Sequence, residues 1–154
     1  MKKSIITVFL LALLFQPAVV SAQQKGAIGA GLLLGEPVSL TAKYWVSEYN
    51  AIDVGLGTGS KFTIYGDYLW QGWKAFPKPP EGTMAAHLGL GFKLRLDDKD
   101  DQFGVRTIAG VNYWMEKYPV EGFAQLIPFF ELSPEGKFSL QLAVGVRYYF
   151  SGWN

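Results

Sequence analysis

Bulky apolar residues recur at every second position through eight stretches of this chain, and the positions between them hold glycine, small polar residues and single charges. A period of two marks a strand whose faces meet different surroundings. The first stretch sets Ile28, Ala30, Leu32 and Leu34 against Ala27, Gly29, Gly31 and Leu33, and Glu36-Pro37 turns the chain. The second opposes Val38, Leu40, Ala42 and Tyr44 to Ser39, Thr41 and Lys43; the third opposes Ile52, Val54 and Leu56 to Asp53, Gly55 and Gly57. The fourth carries Phe62, Ile64, Tyr68 and Trp70 against Thr63, Tyr65 and Asp67. In the fifth, Leu88, Leu90, Phe92, Leu94 and Leu96 alternate with His87, Gly89, Gly91, Lys93 and Arg95. The sixth has Phe103, Val105, Ala109, Val111 and Tyr113 against Gly104, Arg106, Gly110 and Asn112. The seventh, bent by Pro128, has Ala124 and Leu126 against Glu121, Phe123 and Gln125. The eighth places Phe138, Leu140, Leu142, Val144, Val146, Tyr148 and Phe150 opposite Ser139, Gln141, Ala143, Gly145, Arg147 and Tyr149. Turn chemistry separates the runs, and long amphipathic helical patterns are missing, so the pattern predicts an all-β fold.

Which face points outward separates two classes of barrel, because a soluble one turns its apolar face in and a membrane-spanning one turns it out. The polar face pairs glycine with single long charges, which suits a narrow eight-stranded lumen where small residues leave room for large ones. The pattern therefore predicts an eight-stranded antiparallel up-and-down transmembrane β-barrel. The aromatic knots Tyr44-Trp45, Tyr68-Leu69-Trp70, Tyr113-Trp114 and Tyr148-Tyr149-Phe150 fall at alternate strand ends and so on one rim, as an interfacial girdle does. Phe62, Phe103 and Phe138 are expected to form the opposite girdle. About ten residues separate Phe103 from Tyr113, and at a tilt of about 40° they rise roughly 25 Å, the height of a lipid band. The opposing reading is a soluble lipocalin-like barrel whose aromatics line a cavity for an apolar ligand.

Composition narrows the context. Lys2 and Lys3 precede an apolar run from Ile5 to Phe15, and Val20-Ser21-Ala22 offers small residues for cleavage, so residues 1–22 are expected to be a removed secretory signal and 23–154 the barrel. The chain has no cysteine, which excludes a lipoprotein anchor on cysteine, disulfides and a thiol nucleophile. Fourteen basic against 13 acidic residues give no electrostatic footprint for nucleic acid. No spacing suits zinc or an EF-hand, and the glycines alternate within strands rather than form a phosphate loop, so no cofactor or metal is expected.

The last strand, Ala143-Val144-Gly145-Val146-Arg147-Tyr148-Tyr149-Phe150, resembles the barrel-assembly signal of the small outer-membrane β-barrel family of Gram-negative bacteria. Gly145, Tyr148 and Phe150 match it, Ala143 stands where a polar residue is usual, and Ser151 to Asn154 extend past the customary final aromatic. Gly35-Glu36-Pro37 with Gly145 to Phe150 is similar to an uncharacterised group of short barrels within that family. The resemblance spans the mature chain. It implies location in the cell outer membrane, contact with its lipids and lipopolysaccharide, insertion by the barrel-assembly machinery, and a monomer.

The remaining chemistry lies on the polar face. Register arguments expect Glu121 near Arg147, Asp53 near Lys43, and Lys93, Arg95 and Arg106 clustered at the mouth away from the Tyr/Trp rim. A charge in so narrow a barrel is costly unless paired, so these groups are expected to plug the lumen rather than conduct ions. His87, the single histidine, is expected to approach Asp67 across strands four and five. Barrels that modify lipid use serine, histidine and an acid, but the His-x-Ser-Asn arrangement of the deacylases is missing here, which favours a structural histidine over a lipid-modifying enzyme. The longest connection, Gln71 to Met84 with Trp73 and several prolines, falls on the Tyr/Trp side, which an inward N-terminus makes periplasmic, and is expected to act there as a lid or partner contact. Tyr44-Trp45 to Tyr49 is echoed by Tyr113-Trp114 to Tyr118, two hairpins meeting the same interface. Together these features predict a non-enzymatic outer-membrane barrel of structural or interaction role.

Overall fold

The computed structural model describes residues 25–35, 38–57, 61–133 and 136–151. The expected signal 1–22, the turn Glu36-Pro37 and the chain beyond Ser151 lie outside the described residues. Eight strands follow one another: β1 (Ile28–Leu34), β2 (Ser39–Trp45), β3 (Asn50–Gly57), β4 (Phe62–Gly72), β5 (Thr83–Leu96), β6 (Gln102–Trp114), β7 (Val120–Ser133) and β8 (Lys137–Ser151). Each pairs antiparallel with its neighbour in sequence, and β8 closes on β1, giving the expected up-and-down barrel. Closure gives every strand a partner on both sides, although β8 runs past the described end of β1 from Lys137 to Ala143.

Partnered residues traced round the wall run from Val120 through Tyr148, Ala30, Ala42, Val54, Gly66, Phe92 and Val105, and return to β7 at Phe130, ten residues along. For eight strands such a stagger means a tilt of about 40° and an interior with room for side chains only. The wall is uneven in height. β1 and β2 have 7 residues and β3 has 8, whereas β5 to β8 have 13 to 15. At that tilt the first sector rises roughly 18–20 Å and the second roughly 33–38 Å. The 25 Å height read from the sequence was measured along β6 and so describes the taller sector alone.

The two faces separate sharply. On β8, Leu142 is 73% exposed while Arg147 is 0% exposed, and the same alternation governs the other strands. A soluble lipocalin-like barrel requires the reverse arrangement, with the apolar rows inside. Pro128 interrupts the β6–β7 ladder without ending the strand: β7 still pairs with β8 at Pro128, while the ladder to β6 skips from Phe129 to Leu126. Proline has no N–H to give to one of its two neighbours. No helix among the described residues is long and apolar enough to cross a membrane, a statement that leaves strands untouched.

Candidate functional site

The inward residues of all eight strands converge on the lumen. Among the described residues its buried charges are Lys43, Lys93, Arg106 and Arg147 against Asp53, Asp67, Glu121 and Glu131, four of each sign. Glu121 is the hub. Its Oε1 accepts from Arg147 Nη1 at 3.0 Å, from Asn112 Nδ2 at 2.6 Å and from Lys43 Nζ at 3.4 Å, and its Oε2 accepts from the Tyr149 hydroxyl. Arg147 then bridges to a second acid: Nη2 donates to Asp53 Oδ2 at 2.6 Å, and Nη2 and Nε both reach Thr41 Oγ1, which itself donates to Asp53 Oδ1 at 2.7 Å. The guanidinium carbon lies 3.9 Å from the centre of the Phe123 ring. That ring lies over Gly145, where a Cβ would stand 2.7 Å from both Phe123 Cε1 and the Leu32 carbonyl oxygen. Gly145 therefore has a packing role in seating Arg147, whatever part it plays in assembly.

The expected Glu121–Arg147 pair is present, since the two residues oppose one another across β7 and β8. Lys43 does stand opposite Asp53 in register, but its ammonium pairs with Glu121 at 3.4 Å. Arg147 and Thr41 already occupy both Asp53 oxygens. His87 does not approach Asp67, because in the β4–β5 register Gln71 opposes His87 and Asp67 opposes Gly91. A four-residue offset amounts to roughly 13 Å along a strand. Its partners come instead from β6 and β7: Nδ1 lies 2.5 Å from Asn112 Oδ1, and Nε2 lies 3.1 Å from Gln125 Nε2. Asn112 gives its amide N–H to Glu121, so its oxygen faces His87, and the ring donates from Nδ1 and accepts at Nε2. Both ring nitrogens are engaged.

Asp67 meets Arg106, whose Nε lies 3.1 Å away without the alignment of a hydrogen bond, while the guanidinium sits over Tyr65 at 4.2 Å. Lys93 donates to Gln141 at 3.3 Å and covers the Phe129 ring at 4.6 Å. Lys93 and Arg106 line one small void, whereas Arg95 is half-exposed nearer the end of β5. Beyond the strands, Lys61 pairs with Asp97 at 2.6 Å. That hydrogen bond holds the Asp97 carboxyl below the usual carboxylate range.

Three of the nine aromatics expected at the interface point the other way. Trp45, Trp114 and Tyr149 are buried in the lumen, whereas Tyr44, Tyr68, Trp70, Tyr113 and Phe150 are exposed and Tyr148 is intermediate. Adjacent residues of a strand take opposite faces, so a doublet such as Tyr44-Trp45 cannot lie wholly in a girdle. Phe62, Phe103 and Phe138 do face outward near the other end.

The inward tryptophans close the Tyr/Trp mouth together with a residue that has no strand to hold it. Trp73, in the β4–β5 connection, stacks on Trp45 at 5.7 Å and tilts against Trp114 at 4.9 Å, and its indole N–H donates to the Glu48 carbonyl at 2.8 Å. Lys43 lies beneath, 4.6 Å from the Trp45 ring. At its far end the connection is tied by the Tyr113 hydroxyl, which donates to the Glu81 carbonyl, and by Gly82, whose φ of +77° favours glycine. Asn112 and Gln125 fell on the polar face by parity and Trp73 in the connection expected to act as a lid or partner contact, but none of the three was among the expected lumen pairs.

No family model matches the chain, and no curated protein matches it. Two solved structures share its architecture. The N-terminal β-barrel domain of Pseudomonas aeruginosa OprF superposes with a TM-score of 0.60 at 14% identity, covering 82% of this chain and 98% of that one. A barrel from the de novo design of transmembrane β-barrels superposes with a TM-score of 0.50 at 18% identity, covering 83% of this chain and 98% of that one. At such identities the likeness is one of fold, and the fold is a closed eight-stranded antiparallel barrel.

Proposed function

We propose that this chain is an integral β-barrel of the bacterial outer membrane with a structural or interaction role, its lumen filled by side chains rather than open as a general pore. The observation that carries the proposal is the reversal of faces: leucine, valine and phenylalanine rows look outward while eight charged side chains are sealed inside. In water an apolar wall of this extent is an aggregation surface; against acyl chains it is the favourable arrangement. The secretory signal expected at residues 1–22 and the outward Tyr and Trp at one rim agree with that location. Its partners on this reading are membrane lipids and lipopolysaccharide, with the barrel-assembly machinery during insertion, and the working unit is a monomer. The hub around Glu121 fills the lumen centre and the Trp45–Trp73–Trp114 group covers one mouth, which is why a filled barrel is preferred to a pore. A lipid-modifying activity is disfavoured because both nitrogens of His87 are bound to amides and neither meets a serine.

Heat-modifiable migration tests the reading. The unboiled protein should run faster than the boiled protein in detergent gels, and it should stay with the membrane fraction through high salt and carbonate. Release by salt alone would refute it.

A further inference from the structure

The lumen is full, but the outer wall carries a recess. Cross-strand partners set the outward side chains of β1 to β4 in rows that climb round the barrel. One row holds Ile28, Tyr44, Ile52 and Tyr68, the next Ala30, Ala42, Val54 and Gly66, and the third Leu32, Leu40, Leu56 and Ile64. The middle row is small and both its neighbours are bulky, so it forms a floor between two ridges. Leu32 and Leu40 stand 55% exposed, while Ala30 and Ala42 are half-buried. An open hollow of about 710 Å³ follows this floor, bounded by Ala30, Ala42 and Val54 below and by the third row at its side.

The groove has two distinct ends. Across β8 the floor row begins at Tyr148, a residue of the Tyr/Trp rim, and across β5 it stops against Phe92, whose ring tip would meet a Cβ on Gly66 at 3.7 Å. A rim tyrosine offers an apolar ring beside a polar tip, which suits the level of a lipid headgroup. From β1 to β4 the floor is about 14 Å long at about 4.8 Å per strand. With strands tilted by about 40° the rows climb at that same angle from the membrane plane, so this length rises only about 9 Å. The short sector needs such a slope. One leaflet of hydrocarbon is about 15 Å deep, whereas half the height of β1 and β2, with 7 residues each, is about 9–10 Å. An upright acyl chain overruns this part of the wall, and one laid obliquely along the floor matches it.

We propose that this groove is a binding site for one acyl chain of a phospholipid whose headgroup sits at the Tyr148 rim, held more firmly than the lipid around the rest of the wall. The inference rests on the membrane-spanning reading above. Its test is native mass spectrometry of the full chain, reconstituted in vesicles of phosphatidylethanolamine and phosphatidylglycerol and then extracted into mild detergent. One phospholipid per barrel should survive activation that strips the others. Ala42→Phe fills the floor and should lower this retention severalfold, whereas Ala109→Phe, at an exposed outward position on β6, should leave it unchanged. Ala30→Leu is a second filling variant and serves if the phenylalanine at 42 is not tolerated. Flotation reports insertion and heat-modifiable migration reports folding in every case. Folded, inserted wild-type barrel that retains no phospholipid, or detergent alone, overturns the groove and leaves the barrel reading standing. Equal loss in the two phenylalanine variants, unchanged retention in both filling variants, or a lipid-free dimer also overturns the groove. Failure to float with the vesicles overturns both readings.

Discussion

Glu121 and Asp67 are both carboxylates on the inner wall, both sealed from solvent and both within reach of an arginine, yet their surroundings differ. Glu121 takes donors from β2, β6 and β8, with both oxygens engaged. Asp67 has the Arg106 charge at 3.1 Å and no aligned hydrogen bond. The contrast teaches that charge balance alone does not make a plug. An ion pair in a low-dielectric interior offsets its desolvation only when the remaining lone pairs and protons are also met. The Glu121 side meets that condition and behaves as structure; the Asp67 side leaves it open.

The comparison breaks or sharpens under substitution, and the largest effect is expected at Arg147. Arg147→Met leaves Asp53 and Glu121 buried without their shared cation, and should cost about 3–5 kcal/mol in a urea titration followed by tryptophan fluorescence in detergent micelles. A loss within experimental error would erase the distinction between hub and pair. Next comes the mouth above the hub. Trp73→Ala removes two ring contacts and should cost about 1–3 kcal/mol, with a loss of near-ultraviolet ellipticity that Trp73→Phe partly restores. Asp67→Asn should be milder, about 1–2 kcal/mol, because Arg106 keeps the Tyr65 ring and loses no aligned hydrogen bond. If it proves as damaging as Arg147→Met, then Asp67 belongs to the plug after all.

The smallest effect is expected outside the wall. Asp97 is partly exposed and its carboxyl is held below the usual range by the hydrogen bond from Lys61, so what the pair contributes is present above the ordinary carboxylate pKa and is lost as pH falls through the lowered folded value. Lys61→Ala should therefore shift the unfolding midpoint slightly at pH 7 and not at all in strong acid. A difference that grows on acidification would contradict that sign.

Alternation along β8 was enough to place Phe138 to Phe150 outside and Arg147 inside, because a strand offers its side chains only two directions. The same rule separates Trp45, Trp114 and Tyr149 from their neighbours, and applying it to each doublet would have removed them from the girdle. Register was less legible. Glu121 and Arg147 sit one tight hairpin apart, so counting back from the turn pairs them correctly. The partners of His87 depended on where the β4–β5 pairing begins, and between those strands lies a connection of ten residues without a period to count by. Lys43 shows a different limit: its register was right and its partner wrong, since Arg147, 104 residues away, takes Asp53 first. Trp73 was legible only as a tryptophan in a proline-rich loop, because loops carry no pattern that says which way a side chain turns.

By itself the sequence determined strand number, strand order and the face on which each side chain lies, because those follow from local period and from turns that join neighbours. The tertiary structure decided which charges bind one another, which polar atoms on β4 remain without a hydrogen bond, and that Trp73 covers a mouth. These depend on side chains from strands distant in the chain meeting across a lumen whose ten-residue stagger sets who stands opposite whom, and local spacing does not encode that stagger.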